Sequence, residues 1–484
     1  MAQMRGVDLG DSSDYKTEGK KKFLYFVAVI AALGGMLFGY DTGVIASALI
    51  FINKTFHPTV WQQEMVVSMV VAGAFFGAIF SGKLSNKFGR RKVLIWTAIT
   101  FIIGTVICTF APEIWTLIFG RLILGIAVGV ASYTAPLFIA EISLPDKRGL
   151  MVVLNCIFIT GAQAAAFLIG FYLQKHLPEY LSWRYMVGAA VIPSILLLIG
   201  MVFAPSSPRW LLMKGKVKAA REVLRKIRDF DKVEQEIDDI KSSLGFQHGG
   251  WKELFSKTVR PVLIIGLALG ILQQFAGINT VMYYGPEIFK QVGFHGASAQ
   301  ILATFGMGCL NFLMTVIAMF TVDKFGRKSI MIFGTSVAMI SLAVLGYVMH
   351  VGVEHVAGGK AIAVVCLIVY MVGYAYSLGT IFWLMISEIF PLKIRSIGMG
   401  FVAGIQWGAN FLVTATFLTV LTTFGSDYTF WFYAVMCFVA LLFSIFYLPE
   451  TKGVSLETIE INLENGVKAR HLGRVISKNR PNKI

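Results

Sequence analysis

Twelve times along this chain an apolar run recurs that is long enough to cross a lipid bilayer, and no other feature limits the possible folds so tightly. A helix needs about 20 apolar residues to span a hydrocarbon core. Runs of that length lie near residues 24–51, 64–85, 93–111, 114–140, 150–173, 185–204, 262–290, 298–322, 329–350, 361–390, 396–421 and 428–448. The composition agrees: 56% of residues are hydrophobic and 14% charged, with a mean hydropathy of +0.71, far from a soluble domain. The expected fold class is therefore an all-α membrane protein. The opening stretch MAQMRGVDLGDSSDYKTEGKKK is too long and too acidic for the n-region of a signal peptide, so Phe23 onward is expected to be a retained first span.

Twelve spans put both termini on one side, and the charges say which. The net charge of +16 could suggest a nucleic-acid partner, but its distribution excludes one. Only Lys54, Lys175, Arg184, Lys290 and Lys360 fall on the far side and Arg121 within a span; the remaining Lys and Arg share the side of the termini. By the positive-inside rule the termini and the long central loop are cytoplasmic, and the expected location is the plasma membrane. On the far side, Asn53-Lys54-Thr55 is a glycosylation sequon. The loop, residues 205–260, divides the chain into six-span bundles at 23–204 and 261–448, with tails at 1–22 and 449–484. Within it Val217, Ala220, Leu224, Ile227, Val233, Ile237, Ile240 and Leu244 recur at helical spacing among charges, which predicts amphipathic helices lying on the cytoplasmic face.

The bundles repeat each other. KFGRRK at 87–92 follows the second span and KFGRK at 324–328 the eighth; Glu141 precedes Arg148 by the same interval at which Glu388 precedes Arg395, each pair following the fourth span of its half. Two unrelated motifs recurring in one order indicate an internal duplication, the architecture of carriers in which one half rocks against the other around a central site. On the cytoplasmic face Arg90, Arg91 and Arg148 of one half, with Arg327, Lys328 and Arg395 of the other, are expected to pair with Glu141 and Glu388 across the interface when the inner side is shut, a gate that stabilises the outward-open state and must break in each cycle.

Two features point to the central site. Counted along their spans, Gln163, Gln274, Asn311 and Gln406 reach a common height roughly 15–20 Å from the cytoplasmic edge. Neutral amides both donate and accept, which suits ligand hydroxyls and not ions. Trp383, Trp407, Tyr283, Tyr284 and Phe382 nearby offer apolar faces to the C–H side of such a ligand. The second feature is Asp41, inside the run LGGMLFGYDTGVIASALI. A carboxylate there costs roughly 2.5–3.5 kcal/mol. Arg121 lies at nearly the same depth and is the expected partner. Desolvation and a neighbouring cation act on such a carboxyl in opposite senses, so a change of surroundings can make it take or release a proton.

The chain closely resembles the sugar porter family of the major facilitator superfamily. The residues that carry the resemblance are GGMLFGYDTGVI at 34–45, GKLSNKFGRRK at 82–92, GRLILGIAVGVASYTAPLFIAEISLPDKRG at 120–149, PSSPRWLL at 205–212, QQFAGINTVMYYGPEIF at 273–289, VDKFGRK at 322–328, SEIFPLKIRSIG at 387–398, QWGANF at 406–411 and PETKG at 449–453. Asn86 stands where the superfamily's motif has Asp, and Ser206 where the family's PESPRWL has Glu. The resemblance implies twelve transmembrane helices in two six-helix halves, the major facilitator fold, with short cytoplasmic helices between them. It implies sugar contacts at Gln163, Gln273, Gln274, Asn279, Asn311, Trp383 and Gln406, and proton coupling at Asp41, a position that is commonly neutral in passive facilitators. The expected activity is proton-coupled import of a monosaccharide such as glucose, galactose, xylose or inositol by a monomer. A passive facilitator and a transporter-like sugar sensor are the rival expectations, the sensor disfavoured by the short tail after Gly453. No enzymatic constellation, cofactor site or metal spacing is present in the sequence, and Cys108, Cys156, Cys309, Cys366 and Cys437 are expected to be core residues.

Overall fold

The structure is a computed structural model that describes residues 12–143, 148–227, 233–245, 250–391, 393–454 and 456–473. Among the described residues the regular structure is helical throughout. Twelve helices are long and apolar enough to cross a membrane: Phe23–Phe56, Val60–Phe88, Arg90–Thr109, Ile114–Ile142, Leu154–His176, Glu179–Phe203, Arg260–Tyr283, Ala297–Phe325, Arg327–Val351, Gly359–Ile389, Ile397–Phe424 and Ser426–Phe446. Each coincides with one of the runs read from the sequence, and they are called spans one to twelve below.

Three spans depart from uniform rods. Span six is interrupted between helices Glu179–Gly188 and Val191–Phe203, and it begins earlier than its apolar run and so takes in Arg184. That cation is accommodated because its guanidinium donates to the Thr109 and Ala111 carbonyls, at 2.8 and 3.0 Å, and lies over the Trp183 ring. Span seven breaks: helix Arg260–Phe275 ends, Gly277 turns the chain at a φ of 90°, and short helices Ile278–Tyr283 and Gly285–Gln291 follow. Any side chain at Gly277 would also meet the Tyr433 ring. Span ten holds a π-helical turn, Ala375–Gly379, between Gly359–Tyr374 and Thr380–Ile389.

Close approach of backbones sets the packing of the first half. A Cβ on Gly39 would fall inside the van der Waals radius of the Ile159 carbonyl oxygen, so spans one and five touch there main chain to main chain. Between the sixth and seventh spans, helices Pro208–Met213, Val217–Ile227 and Val233–Gly245 build a small core of their own from Leu211, Leu212, Ala220, Leu224, Ile227, Val233 and Ile237, against which Phe23 and Trp210 pack. The apolar stripe read from the sequence therefore serves chiefly to join these helices to one another. The side chain of Leu244 lies outside the described residues. Cys108, Cys366 and Cys437 are buried as expected, but Cys156 and Cys309 are exposed, a correction that follows from the side of the helix on which each falls.

Candidate functional site

The breaks in spans seven and ten bring the amides together. Where span seven ends its first helix, Gln273 and Gln274 are buried. Gln273 Nε2 donates to the Leu378 carbonyl, in the π turn of span ten, at 3.1 Å, and Gln273 Oε1 accepts from Gln406 Nε2 at 3.1 Å and from Gln274 Nε2 at 3.3 Å. Asn279, just past Gly277, donates from Nδ2 to Gln274 Oε1 at 2.6 Å. The chain of amides thus runs Asn279, Gln274, Gln273, Gln406. Tyr370 and Tyr374 of span ten hold the break itself, their hydroxyls donating to the Ala276 and Gln273 carbonyls at 2.7 and 2.9 Å. The π turn itself supplies the Leu378 carbonyl that accepts from Gln273.

A second amide pair bridges the halves: Asn311 Nδ2 of span eight donates to Gln163 Oε1 of span five at 3.1 Å. Gln406 Oε1 is buried and has no hydrogen-bond partner among the described residues. A buried amide oxygen left open is an acceptor for an incoming hydroxyl. Of the aromatics, Trp383 is 42% exposed beside Phe382, whereas Trp407 is buried edge-on against Phe38, with ring centroids 5.3 Å apart. Tyr283 and Tyr284 are buried at the end of span seven.

Asp41 and Arg121 meet as the sequence leads one to expect. Arg121 Nη1 donates to Asp41 Oδ1 at 2.5 Å, and its Nε donates to the Val66 carbonyl of span two at 2.9 Å. Arg121 is 0% and Asp41 3% exposed. The pair is only half made, because Asp41 Oδ2 and Arg121 Nη2 are buried without partners among the described residues. The neighbourhood includes a residue from the other half: Tyr283 interacts with Thr42, next to Asp41, and with Asn410 of span eleven. Thr42 and Asn410 were not singled out from sequence, and only their one-residue and four-residue offsets from Asp41 and Gln406 could have flagged them.

Among the described residues, the charges on the face that carries the linker helices pair within their own halves, and the lock expected across the interface when the inner side is shut is not formed in this structure. Arg90 donates from Nη2 to Glu141 at 2.8 Å, and Ser207 Oγ binds the other oxygen of Glu141. Arg327 donates from Nη2 to Glu388 at 2.9 Å, and Thr451 Oγ1 binds the other oxygen of Glu388. Each glutamate is thus held by residues of its own half, not across the interface, because the turn at Gly89 or Gly326 folds the arginine back over its own bundle. Arg91 instead donates to the Met201 and Val202 carbonyls, Lys328 to the Ile445 carbonyl, and Arg395 Nε to the Phe390 carbonyl. The side chain of Arg148 lies outside the described residues.

The two halves also differ at the starts of spans three and nine. Glu450 caps span nine, accepting from the main-chain N–H groups of Arg327 and Lys328, both at 3.0 Å. The position after span six that corresponds to Glu450 after span twelve is Ser206, and no carboxylate bonded to the first N–H groups of span three is found among the described residues.

Comparison with known proteins agrees with this geometry. Residues 27–463 match the family described as sugar (and other) transporter. The chain is 42% identical over 466 residues to the galactose-proton symporter of Escherichia coli strain K12, covering 95% of this chain and 99% of that protein. It is 43% identical over 443 residues to the D-xylose transporter of Levilactobacillus brevis, covering 90% and 95%. Its fold matches the xylose transporter XylE from E. coli, in a partially occluded inward open conformation, with a TM-score of 0.78 at 31% identity over 90% of this chain and all of that one. A helical bundle of twelve spans, with an amide cluster where two of them break, therefore belongs to the sugar porter family of the major facilitator superfamily, and the chain is a multi-pass membrane transporter of the sugar class, not an enzyme.

Proposed function

We propose that the chain imports a monosaccharide together with protons, by alternating access, as a monomer in the plasma membrane with the linker face and both termini toward the cytoplasm. The observation that carries the proton is the half-made ion pair of Asp41 and Arg121. A carboxylate with one oxygen open has room for a proton, and its cation has a second anchor at Val66, so the pair can part without stranding Arg121. The amides supply the sugar site: Gln273, Gln274, Asn279 and Gln406 from one half, Gln163 and Asn311 at the seam, with Trp383 as the open aromatic face and Tyr283 and Trp407 closing the far end. Relatives named for galactose, xylose and arabinose fit a pocket that reads hydroxyls with neutral amides.

In this scheme the bundles 23–204 and 261–448 rock about the site. The clusters Arg90–Glu141–Ser207 and Arg327–Glu388–Thr451, with Arg91 and Arg395 beside them, stiffen each bundle's cytoplasmic end and gate the inner mouth by moving as units. Purified protein in vesicles with an imposed pH difference tests the reading. Radiolabelled sugar should accumulate above its external concentration when the outside is acidic, and collapse to equality when a protonophore is added. Equilibration without accumulation would make it a passive facilitator.

A further inference from the structure

Glu64 has no place in the sugar or proton sites, yet it is a carboxylate only 1% exposed inside the second membrane span. Burying it demands hydrogen bonds. They come from the other half of the molecule. Glu64 Oε1 accepts from the main-chain N–H of Thr419 at 2.7 Å and Glu64 Oε2 from the Thr419 hydroxyl at 2.8 Å, both on span eleven. These donors are neutral, so the contact is strong enough to order the seam and lacks the cost of separating opposite charges.

Other contacts surround the same mouth, and those of Tyr284 lie on the same two turns of span eleven. Tyr284, at the last break of span seven, donates to the Thr414 carbonyl at 3.0 Å and stacks on Phe417 with ring centroids 5.0 Å apart. Gln63, the residue before Glu64, accepts from Asn53 Nδ2 of span one at 2.9 Å. On the opposite side of the same mouth Gln174 of span five donates to Ser298 of span eight at 2.5 Å, again joining the halves. Beside these contacts is a recess of about 340 Å³ lined by Ala46, Leu49, Asn53, Gln63, Tyr283 and Leu418 among others.

We infer that Glu64 is the latch of the outer gate: its two bonds to Thr419 hold the outer mouth shut and must break for the carrier to open outward. The inference rests on the alternating-access reading above. Opening exposes the Glu64 carboxylate and the Thr419 donors to water, which replaces the lost bonds. The latch is connected to the cargo. Tyr284 and Glu64 grip neighbouring turns of span eleven, and Tyr284 sits on the span whose earlier break carries Gln273, Gln274 and Asn279. A change at the amides is thereby transmitted to the helix that Glu64 holds.

The test reads conformation directly. With the exposed Cys156 and Cys309 replaced by Ser, a single cysteine is placed at the 2% exposed Ala46, and right-side-out vesicles are treated with a membrane-impermeant maleimide. Glu64→Ala should raise the labelling rate about five- to tenfold, and Glu64→Gln, which keeps one acceptor, by less; Thr419→Val should raise it too. Should Glu64→Ala fail to reach the membrane, the Gln and Val variants carry the same comparison. Unchanged labelling in the folded variants overturns the latch. Sugar uptake is measured separately, so a protein that labels as expected but carries no sugar would sink the transport reading and leave the gate standing.

Discussion

Replacing Asp41 by Asn isolates the coupling step, because the amide has nearly the shape of the protonated acid and can never release that proton. The structure sets the side effects. Arg121 loses one charged contact at 2.5 Å but keeps the Val66 carbonyl at 2.9 Å and an amide oxygen where Oδ1 stood. The cost to stability should then be about 1–3 kcal/mol, below the 3–5 kcal/mol of a buried pair broken outright. Transport must accordingly be normalised to protein in the membrane. With one proton carried per sugar, one unit of pH difference supplies about 1.4 kcal/mol and sustains about tenfold accumulation. In the Asn variant that ratio should fall to one. Sugar-for-sugar exchange should persist, because the Gln273, Gln274, Asn279 and Gln406 amides bond among themselves and not to Asp41. The assay is tracer uptake into proteoliposomes at several imposed pH differences, with counterflow as the control. Accumulation that still scales with the pH difference would refute the assignment of Asp41 as the proton carrier. Loss of both accumulation and exchange would show that Asp41 holds the fold or the site.

The remaining expectations concern binding, capping and packing. Gln406→Ala, which removes the unpartnered buried oxygen, and Gln274→Ala, which cuts the amide chain, should each weaken sugar binding by about 1–3 kcal/mol in a calorimetric titration of purified protein, and an unchanged affinity would take that residue out of the site. Ser206→Glu should give span three the cap that Glu450 gives span nine, adding about 0.5–1 kcal/mol and raising the melting temperature by about a degree; a lower melting temperature would show that the two helix starts are not equivalent. Gly39→Ala should force spans one and five apart and reduce folded protein in the membrane severely, whereas normal yield and melting temperature would mean that the backbones can separate there at little cost.

Much of this architecture is written along one dimension. An apolar run of sufficient length is a span wherever it falls, so all twelve were legible, and a repeated pair of motifs reveals duplication without any coordinates. Depth is legible too, since the rise per residue in a helix is constant, and that is why Asp41 and Arg121 could be matched across 80 residues. Rotation about the helix axis and the direction of a turn are not. The arginines after the second and eighth spans are expected to reach across the interface when the inner side is shut, and in this structure the turns at Gly89 and Gly326 hold them against Glu141 and Glu388 of their own halves. Cys156 and Cys309 lie in apolar sequence and are nonetheless exposed. Gln273 and Gln406 stand 133 residues apart, and only the break in span seven and the π turn in span ten angle them into one chain of amides. Glu64 was not singled out from sequence, because one of its partners is a main-chain N–H 355 residues away, and a backbone donor has no signature in sequence. A sequence determines which segments enter the membrane and how deep each side chain lies, since both follow from local composition and a fixed rise. Which faces meet is settled only when all the helices pack at once, because the contacts that orient each one belong to its neighbours.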